Sequence, residues 1–313
     1  MASKFKQIDF SSLKTFPIKD RVNMVSHRDF SDPRKYTGNE NLSSLFPSIL
    51  KGNDFRKVAE SVKSAKKKKK PVIVAIGAHV IKCGLSLLFI DLLRRGFISG
   101  VAMNGAGAIH DYEIAMVGET SENVAVEIQE GRFGMVHETG QYMNDAFKKH
   151  VDESVGMGEA LGRDLSEKKY PFSSYSILQA GYEMDIPVTI HSAIGTEIIH
   201  MHPSADGTIL GQGTFNDFKL FVSSLSEIGN GGVFFNIGSS VILPEVFLKA
   251  ISMVRNMGHD AKEFTTVNFD MVQHYRPNVN VVKRPVQGEG SGFSITGHHE
   301  ILIPLLYSMI VED

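Results

Sequence analysis

Imidazole is the side chain whose placement in this sequence first suggests chemistry. Of twelve histidines, seven (His79, His110, His191, His200, His202, His298 and His299) fall in or just after short clusters of small and polar residues. The clusters are GAH at 77–79, NGAG at 104–107, HSAIGTE at 191–197, NIGSS at 236–240, NFD at 268–270 and TGHH at 296–299. An imidazole titrates near neutral pH and ligates divalent metals, so several brought together would serve acid-base catalysis or chelation. The glycines offer a second capability, because backbone N–H groups in a tight turn before a helix meet phosphate. NGAG lacks the full G-x-G-x-x-G spacing, and no acidic residue stands cleanly about 20 residues on, so the standard dinucleotide fingerprint is absent. The one cysteine, Cys83, lies in an apolar helical run. Neither a disulfide framework nor a thiolate metal site is expected from it, and it reads as a buried structural thiol.

These clusters matter only if secondary structure gathers them. Residues 71–111 read as a βαβ unit: strand Pro71–Ile76, a Gly turn, an apolar helix over Val80–Arg95, strand Ile98–Met103 and a Gly-rich turn. Continuous Val/Ile runs suit parallel strands covered on both faces, joined by a right-handed crossover. The rhythm resumes downstream, with helix Ser173–Met184 before strand Ile186–Ile190, helix Asn216–Ile228 before strand Gly232–Ile237, and helix Pro244–Asn256 before strand Phe264–Phe269. A Gly- and Pro-rich loop (Arg276–Gly292), a short strand (Phe293–Thr296) and helix His299–Val311 close the chain. Alternation of this kind predicts a doubly wound, mainly parallel α/β sheet. Parallel strands would send every cluster to one edge, where open α/β sheets bind ligands.

The remaining segments frame that sheet. Residues 1–50 read as an irregular arm with a short helix near 41–51, and residues 51–313 as one domain, in which 119–169 form a polar helical excursion too poor in apolar residues for a core of its own. The run KKKKK at 66–70 follows helix Asp54–Lys67 and reads as a solvated helix end, where lysine is favourable. A net charge of −2 with 22% charged residues argues against a nucleic-acid surface. With no apolar leader and no uninterrupted run near the roughly 18 residues of a spanning helix, a cytoplasmic protein that does not enter membranes is expected.

With these elements in place, the chain resembles the deoxyhypusine synthase family, whose members use NAD to oxidise spermidine and transfer its aminobutyl group to a lysine of a translation factor precursor. The likeness is carried, in the family's order, by GAHVIKCGL, NGAGAIHD, IPVTIHSAIGTE, NIGSSVILPE and TGHHEILIPLL, with VNMVSHRDF extending it into the arm. It implies a Rossmann-like fold, a homotetramer, and NAD held near subunit boundaries. The matching cofactor positions are Gly77, Ala78 and His79 (continuing to Lys82), Asn104, Gly105, Ala106, Gly195 or Thr196, Gly238, Ser239, Ser240, Asn268 to Asp270, His298 and His299. A nucleotide-sized pocket is expected between Gly77, Asn104, Gly105, Gly238 and His298.

The departures fall on the chemistry. The family's Glu-Glu pair aligns with Ile109 and His110, its polyamine-binding Asp with His200 and its catalytic His with Glu245, while the segment that supplies its covalent lysine has no counterpart in RPNVNVVKRPVQGEGSG at 276–292. Lys283 sits there in what reads as an exposed strand or loop. Losing carboxylates from a pocket for ammonium groups leaves buried charge unpaired. The resemblance therefore implies a NAD-binding protein with altered chemistry on a small molecule, not a classical spermidine-dependent synthase. The alternatives are a non-catalytic relative that keeps the fold for binding or assembly, and a metal-dependent enzyme in which His110, His200 and Glu245, completed by His202 or His299, hold a divalent ion.

Overall fold

A computed structural model describes residues 42–311. Six parallel strands form one sheet in the order β3-β2-β1-β4-β5-β6. The strands are β1 (Val72–Ile76), β2 (Gly100–Asn104), β3 (Val188–His191), β4 (Val233–Ile237), β5 (Thr265–Asp270) and β6 (Ser291–Thr296). Twelve α-helices accompany them among the described residues: α1 (Leu50–Lys67), α2 (Ala78–Lys82), α3 (Ser86–Arg94), α4 (Gly105–Val117), α5 (Val124–Glu127), α6 (His137–His150), α7 (Met157–Lys168), α8 (Ile177–Glu183), α9 (Gly207–Ser224), α10 (Ile242–Asn256), α11 (Tyr275–Pro277) and α12 (His299–Val311). This is the expected doubly wound α/β fold of Rossmann type. The apolar runs translate directly into layers. Val72, Val74 and Ile76 of β1 join the larger core under α1, α3, α4 and α12, while Ile73 and Ala75 face a second core built with Phe234, Phe247 and Ile251. There Phe234 and Phe247 stack with ring centroids 3.7 Å apart.

Several boundaries differ from the sequence reading. The helix expected over Val80–Arg95 is two helices, broken where Gly84 takes a left-handed φ of 73°. Helix α9 begins nine residues before the expected Asn216, because the Asp206 carboxylate caps it, accepting from the N–H groups of Thr208 (2.9 Å) and Ile209 (3.2 Å). The expected loop at 276–292 is instead mostly helical, with α11 running into a π-helical stretch, Asn278–Lys283. Lys283 is exposed on that stretch and not on a strand or loop. Helix α12 matches its expected span.

One buried carboxylate bridges the excursion at 119–169 and the sheet. Asp217 of α9 is fully buried and accepts from the N–H of Gly158 at the start of α7 (2.9 Å) and of Ile190 in β3 (2.8 Å). Asp111 of α4 does the same for α8, accepting from the Ser176 hydroxyl (2.5 Å) and the N–H groups of Ile177 (2.9 Å) and Leu178 (3.1 Å). No helix among the described residues is long and apolar enough to cross a membrane. Most of the expected arm lies outside the described residues.

Candidate active site

All six strands point the same way, so Gly77, Asn104, His191, Gly238, Asp270 and Thr296 stand along one edge of the sheet. The strand order reverses between β1 and β4, which places the switch point between the turns at Gly77 and Gly238. The two turns touch. The Gly77 N–H donates to the carbonyl of Ile237 (2.8 Å), and a Cβ on Gly77 would run into the carbonyl of Gly238. Gly238 has φ of 66°, and a Cβ there would lie 2.7 Å from Nε2 of His299.

The floor of this crevice holds polar atoms without partners. His299 is 1% exposed, and neither ring nitrogen finds a hydrogen bond among the described residues. Burial pushes its pKa down, with Asp270 opposing. Oδ2 of Asp270 is likewise buried without a partner. Orphaned buried polar atoms ordinarily carry a desolvation penalty, and a hydroxyl-rich ligand would relieve it. Asn268 is committed elsewhere. It accepts from Asn236 (2.7 Å) and donates to Gln273 (2.7 Å), joining β4 to β5 below the turns.

The well-formed cavity opens beside this crevice, not over it. It encloses about 670 Å³ between α4, the excursion and the loop after β3. Its walls carry five glutamates, Glu113, Glu119, Glu122, Glu138 and Glu197, against Lys82 and His110. Of the residues expected around a nucleotide pocket, Ala106 and Thr196 reach this wall, while Gly77, Asn104, Gly105, Gly238 and His298 do not line it. The cavity therefore lies toward β3 from the switch-point crevice. The helical excursion and the 193–198 loop supply walls there that local spacing does not announce.

Within the cavity His110 has a defined proton arrangement. The Thr120 hydroxyl donates to Oε2 of Glu113 (2.5 Å), so toward Nδ1 of His110, 2.6 Å away, it acts as acceptor. Its single proton fixes the direction. His110 thus carries a proton on Nδ1 and donates it to Thr120. Thr139 donates to the other oxygen of Glu113 (2.8 Å). Burial works against the charge on Glu113, yet the neighbouring His110 ring and the hydrogen bonds from Thr120 and Thr139 outweigh it and hold this carboxyl below its ordinary range. Glu197 is 6% exposed and sits against Gly105, at the positive N-terminus of α4.

The seven histidines divide into three groups. His110 lines the cavity. His79, His298 and His299 gather where α2 meets α12, with the His79 and His299 rings edge to face at 5.9 Å. The remaining three hold loops in place. His191 is buried, bonds Thr189 through Nε2 (3.0 Å) and packs edge-on to Phe221. Burial alone pushes its pKa down to about 3, so it stays neutral. Nδ1 of His200 accepts from Gly195 N–H (3.1 Å) in a capping box with Glu197, and Nε2 of His202 meets the Gly134 carbonyl (3.0 Å).

His110, His200 and Glu245 do not form the expected ligand set. Glu245 lies on the first turn of α10, paired with Lys249 and Arg276 and accepting from Asn280 (2.8 Å). The Lys249 hydrogen bond leads in holding its carboxyl below the usual range. It fastens the π-helical stretch to α10, and no aligned position could reveal that. Among the described residues, the one trio of His, Cys, Asp or Glu with ligand atoms within 4.8 Å of one another is His79, Cys83 and Glu300. Cys83 is half-buried at the end of α2, with Sγ 3.6 Å from Oε2 of Glu300, and is not the fully buried structural thiol expected. Burial leads and Glu300 adds in raising its pKa.

No protein-family model matches the chain, and no curated protein matches it in sequence. Solved structures do match. A protein assigned as a deoxyhypusine synthase from Entamoeba histolytica superposes with a TM-score of 0.50 at 12% identity, over 90% of this chain and 95% of its own. AgrE in ternary complex with ornithine and NAD+ gives a TM-score of 0.52 at 15% identity, over 82% of this chain and 32% of its own. A LOR/SDH protein from Methanococcus maripaludis S2 gives 0.50 at 13%, over 84% of this chain and 70% of its own. The chain spans about a third of the length of ArgZ, a cyanobacterial arginine dihydrolase, and of AgrE. At these identities the likeness establishes the fold, a Rossmann-like α/β sheet shared with a deoxyhypusine synthase-like protein and with AgrE.

Proposed function

We propose that this chain is a NAD-binding enzyme on a deoxyhypusine synthase-like scaffold, acting on a small molecule that carries a positively charged amine. The observation that carries the reading is the acidic cavity, with five glutamates on its wall beside the switch-point crevice. The family's substrate carboxylates are missing at the matching positions of this chain, and Glu113 and Glu197 supply carboxylates from other positions. Glu113 remains ionised below the ordinary carboxylate range, which suits it to pair an ammonium group. In its neutral form His110 offers Nε2 to take a proton as substrate nitrogen or carbon loses it. AgrE, which binds ornithine and NAD+ together, supports the pairing of a cationic amine with this cofactor.

The crevice residues fit a dinucleotide. When bound, NAD would supply a hydride acceptor. Gly77 and Gly238 keep the two turns free of side chains at the switch point, and Asp270 and His299 offer unpartnered polar atoms to its hydroxyl groups. The N-terminus of α4 already faces the Glu197 carboxylate, so the pyrophosphate would meet the Gly238–Ser240 turn rather than the start of α4. Lys283, exposed on the π-helical stretch, is not taken to stand in for the family's covalent lysine. The chemistry thus differs from that of a classical synthase.

Calorimetry with NAD+, and with NAD+ plus a panel of diamines, polyamines and basic amino acids, tests the reading. Saturable binding of an amine is expected, weakened at least about tenfold by Glu113→Gln, a loss near 1.4 kcal/mol. Absence of binding by NAD+ and by every amine at millimolar concentration would overturn it.

A further inference from the structure

We propose that His79, Cys83 and Glu300 form a binding site for a borderline-soft divalent cation, zinc foremost, at the junction of α2 and α12. The site is separate from the acidic cavity and does not depend on the function proposed for it. His79 and Cys83 are four residues apart in one helical turn, closed by the Cys83 N–H donating to the His79 carbonyl (2.9 Å). That spacing puts both side chains on the same face. Glu300 comes from the first turn of α12, more than two hundred residues later in the chain. The three donor atoms lie within 4.8 Å of one another.

The separations match coordination chemistry. A sulfur about 2.3 Å and an oxygen about 2.1 Å from a tetrahedral zinc stand about 3.6 Å apart. Sγ of Cys83 and Oε2 of Glu300 are 3.6 Å apart. His298 stands at the rim, outside the trio, with Nδ1 3.6 Å from Oε1 of Glu300. One thiolate and one carboxylate would neutralise the ion's two charges, and an imidazole with a thiolate selects zinc or cobalt over magnesium or calcium. His79 also packs edge to face on the buried His299, so an ion here would set the orientation of a ring whose neighbour forms the crevice floor. The ion would tie the turn after β1 to the turn after β6.

The test uses the full-length protein, purified without a histidine tag and stripped with chelator. Zn2+ titration is expected to give one site per chain, and Co2+ in its place is expected to give a thiolate-to-metal charge-transfer band with the intense visible bands of tetrahedral cobalt. Cys83→Ala should abolish the charge-transfer band, and it and Glu300→Gln should each weaken Zn2+ at least about 100-fold, beyond the loss typical of residues that merely support a ligand. Glu289→Gln, on an exposed glutamate paired with Lys262, should leave Zn2+ affinity unchanged. Zn2+ should also slow alkylation of Cys83 by N-ethylmaleimide in the wild-type chain, a readout that needs no variant to fold. Absence of the charge-transfer band with stoichiometric Co2+, Zn2+ affinity unchanged in Cys83→Ala, or alkylation indifferent to Zn2+ would each overturn the assignment.

Discussion

Asp217 shows how burial and hydrogen bonding compete at a single carboxyl. Burial pushes its pKa up to about 7, while the N–H groups of Ile190, Gly158 and Met157 pull the other way. An unfolded aspartate titrates near 3.9. Between about pH 4 and pH 7 the folded chain therefore holds a proton that the unfolded chain releases, and this residue's contribution to stability declines as pH rises through that window. Asp217→Asn removes the titration and keeps an acceptor, so urea denaturation should show a flatter stability profile over that window than in the wild type. His191 has the opposite slope. Its folded pKa is lowered to about 3, so its contribution is lost as pH falls from about 6.5 toward 3. Neither effect is legible in the sequence, where Asp217 is one polar residue in FNDF and His191 one of seven histidines at strand ends. What makes each distinctive is the absence of water around it, and that depends on residues distant in the chain.

At the scale of elements, reading was easier where one element's own sequence decides its state. The run VIVAI became β1, buried on both faces, and HEILIPLLYSMIV became α12 over the expected residues. The boundaries that moved were set by groups outside the periodic apolar runs: the adjacent Asp206 cap for α9 and the distant Glu245 for the π-helical stretch. The acidic cavity was invisible for the same reason, since Glu113, Glu138 and Glu197 come from α4, α6 and the loop after β3 and share no spacing. Replacing Asp206 by Ala should cost about 1 kcal/mol by denaturant titration, the usual value for losing an N-cap. Gly77→Ala should do more damage, because its methyl group would meet the Gly238 carbonyl rather than a flexible side chain. Overpacking of that kind costs about 1–3 kcal/mol, and in calorimetry the variant should also lose its response to NAD+.

At the scale of the whole molecule, the segment that brings Val124 and Val136 to the cavity wall carries apolar side chains facing solvent. Val124, Val126, Ile128, Met135 and Val136 are all exposed. The homotetramer implied by the family resemblance would cover such residues, and sedimentation should find a particle heavier than one chain, shifted toward monomer by Ile128→Asp. The Asp217 clip has a consequence for how the molecule opens. By holding the Gly158 and Ile190 N–H groups on one oxygen, it makes the start of α7 and the strand β3 a single cooperative unit. In native-state hydrogen exchange those two amides should be among the slowest in the chain, and they should exchange with the same free energy and the same denaturant dependence. The polar excursion, which by composition looks able to fray alone, would then come apart only when the central sheet does.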